Sequence, residues 1–128
     1  MWRTVAGVFL VLHGLVHAWY VVLAQALVPF EPAMGWTGRS WALTSWLGEP
    51  TTRMFATVWY GLAGLAIVVG GIAVLAQAAW WRPALAVASI ISALAIAVFL
   101  GGSGEMLMQK GVIGLAISLV TLAVALVA

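Results

Sequence analysis

Four long apolar runs, almost free of charge, constrain this chain more than any other feature. They cover about residues 4–28, 53–77, 83–100 and 111–128. Each is close to the roughly 20 residues that a helix needs to cross a hydrocarbon core about 30 Å thick. In lipid every backbone N–H and C=O must be paired, and a helix does this within its own segment. Of the 128 residues, 66% are hydrophobic and 6% charged, where a soluble domain has roughly 25% charged. The expected fold is therefore all-α: an integral membrane four-helix transmembrane bundle. It is a single four-span domain, with no room left for a soluble one.

Local signals divide the runs. Pro29 and Pro32 stop the first span. Ala24-Gln25-Ala26 has the small residues of a signal-peptidase site. The apolar run before it is longer than a signal h-region and carries two histidines, so it reads as a retained span. The longest connection follows, from Pro29 to Pro50. Within it, Ser40–Leu47 predicts a short interfacial helix, with Leu43, Trp46 and Leu47 on one side. Tryptophan favours headgroup depth, where its ring is buried and its N–H stays wet. Trp36, Trp41, Trp46 and Arg39 are thus the expected lid or interface residues. Thr51-Thr52 caps the second span. Trp80-Trp81-Arg82 anchors its end and Pro83 opens the third, a very tight hairpin. Gly101-Gly102-Ser103-Gly104 reads as the next turn. Arg3 lies just before the first span and no basic residue follows until Arg39. That asymmetry places both termini in the cytoplasm.

Several functions lack their residues. There is no cysteine, hence no disulfide or thiolate chemistry. A scattered net charge of +2 does not suit nucleic acid. The spans contain no carboxylate, and no nucleophile elbow is present, which speaks against an enzyme. Small residues instead dominate the expected helix seams, as lipid supplies little force between helices. Examples are Gly7, Gly14 and Ala18 in the first span, and Thr57, Gly61, Gly64 and Gly71 in the second. The third offers Ser89 and Ser92, and the fourth Gly114, Ser118 and Thr121.

The exception to this apolar pattern is Leu12-His13-Gly14-Leu15-Val16-His17-Ala18. A titratable side chain inside a membrane is costly and marks a functional-site candidate. His13 and His17 share one helix face, one turn apart, and Tyr20 extends the row. Ser92 and Ser118 lie at similar depth on other spans, and Tyr60 somewhat nearer the outer face. One reading makes the imidazoles helix-packing glue, bonded to hydroxyls and carbonyls, in a non-catalytic or accessory subunit of a membrane complex. Another makes His13, His17, Tyr20, Tyr60, Ser92 and Ser118 the polar lining of an apolar cavity. Its ligand would be a lipophilic small molecule: a quinone, an isoprenoid or another lipid-like compound. A third is copper or another metal, held by His13 and His17 with Met106 and Met108. Expected partners are membrane lipid, and a second copy in a homo-oligomer or a larger membrane complex.

The opening run Gly7-Val8-Phe9-Leu10-Val11-Leu12-His13-Gly14, after Arg3, resembles that of DoxX-like small bacterial membrane proteins. Those proteins also have four spans and a longer first connection. The resemblance implies a multi-pass protein of the bacterial inner membrane and favours a quinone or similar lipophile. His17 and the Trp-rich segment depart from the pattern, so no catalytic residue is carried over.

Overall fold

The computed structural model describes residues 1–28, 40–99 and 112–128. Those residues form five helices: α1 (Trp2–Ala24), α2 (Thr44–Leu47), α3 (Glu49–Leu75), α4 (Trp81–Phe99) and α5 (Val112–Val127). Three of them, α1, α3 and α4, are long and apolar enough to cross a membrane. Helix α5 is equally apolar but has 16 residues. The outward faces carry large apolar side chains such as Leu12, Leu15, Leu62, Leu65, Ile90 and Leu94, all about half exposed or more. Small residues point inward: Ala56, Ala63, Ala88 and Ala95 are fully buried. This inside-out distribution suits lipid as the solvent.

The helices pack in the order α1, α3, α4, α5. The α1–α3 seam is built on glycine, and its register is antiparallel. A Cβ on Gly14 would lie 2.9 Å from the Gly64 carbonyl oxygen, and one on Gly71 would lie 3.0 Å from that of Gly7. Any larger residue would force the helices apart. Gly61 has open space beside it and Ala18 is exposed, so both fall off the seam expected of them. Two apolar clusters fill the interior. One, at the start of α1, gathers Leu10, Ile67, Val74, Trp81 and Leu85. The other, at the end of α1, gathers Leu23, Tyr60, Ile96 and Phe99.

Helix ends differ from the sequence expectation by a few residues. The apolar pattern carries the first span to residue 28, yet α1 ends at Ala24 with Ala26 at φ 53°. It carries the second to 77, yet α3 ends at Leu75 with Gln77 at φ 55°. Both ends close with the same pair of backbone bonds. Ala26 N–H donates to Leu23 and Leu27 N–H to Val22; Gln77 donates to Val74 and Ala78 to Ala73. This is the left-handed helix stop usually made by glycine. At the other ends, α3 begins four residues before Arg53, and α4 takes in Trp81 and Arg82 ahead of Pro83. Leu100 and Gly111, at the edges of the last two expected spans, lie outside the described residues.

The segment before α3 is helical only over Thr44–Leu47. Ser40 makes the preceding turn: its hydroxyl accepts from the N–H groups of Ala42 and Leu43, each at 3.2 Å, and donates to the Val98 carbonyl. Trp41 Nε1 donates to the Ala97 carbonyl at 2.7 Å. These carbonyls belong to the last described turn of α4. Arg53 does the same for α1, donating to the Leu23 and Ala24 carbonyls at 3.0 and 3.3 Å.

Candidate functional site

Between the two apolar clusters runs a polar chain. His17 is 2% exposed. Its Nδ1 lies 3.2 Å from the backbone oxygen of His13, one turn earlier. A carbonyl only accepts, so Nδ1 carries the hydrogen and donates. In the neutral ring Nε2 is then an acceptor, and Ser92 donates to it at 2.8 Å. Ser118 Oγ stands 2.9 Å from Ser92 Oγ and 3.0 Å from the Gly114 carbonyl. Its single hydrogen serves one of these at a time. The chain thus joins α1, α4 and α5 through His17, Ser92 and Ser118.

His13 is placed differently. Its Nε2 is buried with no hydrogen-bond partner among the described residues. Its ring stacks on Phe9 at 6.0 Å between centres and meets His17 edge-on at 5.2 Å. The row continues through Tyr20, 6.4 Å from His17, and Tyr20 stacks on Tyr60 at 4.8 Å. Phe9, His13, His17 and Tyr20 therefore form an aromatic ladder along one face of α1.

That ladder borders a cavity of about 250 Å³ between α1 and α5. His13, Val16, His17 and Tyr20 supply one wall, Ile113, Gly114 and Ile117 the other, and Ile96 of α4 the floor. Val16 and Ile113 are more than half exposed, so among the described residues the cavity opens sideways between the two helices. Ser92, Ser118 and Tyr60, expected as lining, stand behind His17 instead. Ser92 and Ser118 are spent on the polar chain, and the Tyr60 hydroxyl reaches the Ala95 carbonyl at 3.5 Å. Nothing in the sequence marks Ile96, Ile113 and Ile117 as lining; only the four-residue spacing of the last two points to a shared face.

The other expected residues are dispersed. Trp41 is pinned to the end of α4 and Trp46 is 80% exposed; neither lines the cavity. Trp36, Arg39, Met106 and Met108 lie outside the described residues. His13 and His17 do not converge on a shared ion, because both nitrogens of His17 already have partners. No cluster of three His, Cys, Asp or Glu that would suit a metal occurs among the described residues. A second groove, of about 360 Å³, lies between α3 and α4 on Phe55, Val58, Leu62 and Leu94. Its side chains are apolar except for the Trp59 N–H, which donates to the Ile91 carbonyl.

No family model, curated protein or solved structure matches this chain.

Proposed function

We propose that the chain is a four-span membrane protein that holds a lipophilic small molecule in the α1–α5 cavity, with His13 as its polar contact. The observation that carries this reading is His13 Nε2, without a hydrogen-bond partner among the described residues, on the wall of a mostly apolar cavity. A buried polar atom without a partner costs roughly 1–3 kcal/mol. A carbonyl or hydroxyl head group would relieve it, the ring donating or accepting as needed. The cavity's size suits one ring or a short chain segment. Its sideways opening suits entry from the acyl-chain region of a bilayer. Quinones, isoprenoids and fatty acids share that chemistry.

In this reading α5 is the fourth span; 16 residues at 1.5 Å each give about 24 Å. Helix α2, with its Trp46 and the preceding Trp41, lies at the membrane interface, supported by their amphipathic rings. Arg3 ahead of α1 favours cytoplasmic termini in a bacterial inner membrane, as the likeness to DoxX-like proteins implies.

The test is ligand retention in purified full-length protein, read by native mass spectrometry and organic extraction. Wild type should carry about one lipophile per chain. His13→Leu should lose it, and its thermal midpoint should fall only by what the bound lipophile contributes, because His13 Nε2 bonds no protein group among the described residues. His17→Leu should lower stability by about 1 kcal/mol through its lost interhelical bond. A wild type free of stoichiometric lipophile sinks the proposal.

A second reading, an accessory subunit with histidine as glue, draws on one observation: His17 is fully engaged and ties three helices together. Equal destabilisation by both variants, with no ligand in any of them, favours it.

A further inference from the structure

The arginines at the opposite end of α1 take no part in the cavity. Arg3 is the second residue of α1, and Arg82 the second of α4. Both helices run antiparallel to α3, so the two arginines share one end of the molecule. They converge on a single ring. Arg3 Cζ is 5.9 Å, and Arg82 Cζ 5.8 Å, from the centre of the Trp81 indole. Arg3 also stands 5.3 Å from the Trp2 ring, which meets Trp81 edge-on at 6.2 Å. Trp81 is buried, while Trp2 and Trp80 are more than half exposed.

Two like charges gathered on one indole repel each other and call for a counter-ion. The described residues supply no carboxylate side chain for it. Glu49 pairs with Arg53 at the other end of α3, and the remaining acids, Glu31 and Glu105, lie outside the described residues. Arg82 Nε is buried with no hydrogen-bond partner among them. The guanidinium plane is one that phosphate oxygens match two at a time. The tryptophans around it mark headgroup depth.

The geometry points to a phosphate site formed by Arg3 and Arg82 over the Trp2–Trp81 pair, its occupant the phosphodiester of an anionic membrane lipid. The surroundings favour lipid over dissolved phosphate. Below the arginines the helices expose apolar side chains, Val5 on α1 and Val87 on α4, both more than half uncovered. Acyl chains attached to a phosphate at the arginines would lie there. Basic pockets between spans are where acidic headgroups bind.

The experiment is native mass spectrometry of the full chain in neutral detergent, offered equal amounts of phosphatidylglycerol and phosphatidylcholine. Wild type should retain phosphatidylglycerol in preference. Arg3→Gln and Arg82→Gln should each reduce that retention about fivefold, the change expected for one arginine at an anionic surface. Arg3→Lys and Arg82→Lys keep the charge but lose the planar fork, and should fall between. Arg53→Gln removes one positive charge at the opposite end and should leave the preference intact. Far-UV circular dichroism checks that each variant keeps its helices, and the lysine variants decide where a glutamine variant does not. Equal retention of the two lipids by wild type overturns the proposal. So does equal retention across the Arg3, Arg82 and Arg53 variants. Inorganic phosphate at millimolar concentration should not displace the lipid; displacement would assign the site to a dissolved anion and overturn the lipid assignment.

Discussion

His13 and His17 differ by one turn of helix and do opposite things. His17 spends both nitrogens on protein; His13 leaves Nε2 without a partner among the described residues, beside a cavity. The sequence made the pair visible, since nothing else titratable except tyrosine sits so deep in a span. It gave no means to split the two roles, because both readings use the same face. The split depends on Ser92, which reaches His17 and not His13. Ser92→Ala should therefore cost about 0.6–1.7 kcal/mol, the range for an interhelical bond in a membrane. Ser118→Ala should cost less. Ser92 still donates to His17 in that variant, and the Ser118 hydrogen was already shared between two acceptors. Thermal midpoints in one detergent compare the two, and a larger loss for Ser118→Ala would contradict the hydrogen assignment. Gly64 supports the same site from α3. A Cβ there would stand 2.9 Å from both the Gly14 carbonyl oxygen and His17 Cβ. Gly64→Ala should cost roughly 1–3 kcal/mol, as overpacking does, and should displace His17. Unchanged imidazole NMR shifts in that variant would count against the close seam.

At the scale of elements, the apolar runs located the three long helices and the shorter α5, but their ends were harder to read. Ala26 and Gln77 hold the left-handed stop of α1 and α3, a place where glycine or asparagine is the usual signal. With alanine and glutamine there, the apolar pattern ran on unbroken to 28 and 77. The expected helix over 40–47 shrank to Thr44–Leu47 for a related reason. Ser40 turns its hydroxyl onto the backbone ahead of it, a bond that competes with helix. A left-handed alanine or glutamine costs roughly 1–2 kcal/mol, part of which glycine returns as chain entropy in the unfolded state. Ala26→Gly and Gln77→Gly should each raise stability by about 0.5–1 kcal/mol. A lowered midpoint in either would show that its turn is not left-handed. Arg53→Gln should act in the other direction. Its guanidinium covers two carbonyls at the end of α1, and such charged bonds are worth about 1.5–3 kcal/mol each when buried, less at this partly exposed position.

For the whole molecule, the antiparallel order and the use of glycine at a seam follow from sequence and membrane physics together. What small residues do at a given seam does not. At α1–α3 glycine brings backbones into contact; beside α5 small and branched residues leave a gap, because α5 leans on α4 and not on α1. A small residue such as Gly114 sits on the cavity wall as Gly14 sits in the seam, and the helix neighbours decide which of the two it makes. This makes Ile117 the place where cavity and close packing part. It is half-buried on α5 and lines the cavity wall facing His13 and Val16. Ile117→Trp would add a ring's volume there. In a close-packed seam such an insertion costs about 1–3 kcal/mol, because neighbours must leave their rotamers. In a cavity of about 250 Å³ the ring finds unfilled space and gains contacts instead. The variant should therefore keep or raise the thermal midpoint while losing any retained lipophile. A lowered midpoint would mean that α1 and α5 already meet. A retained lipophile at wild-type stoichiometry would place the ligand elsewhere on the molecule.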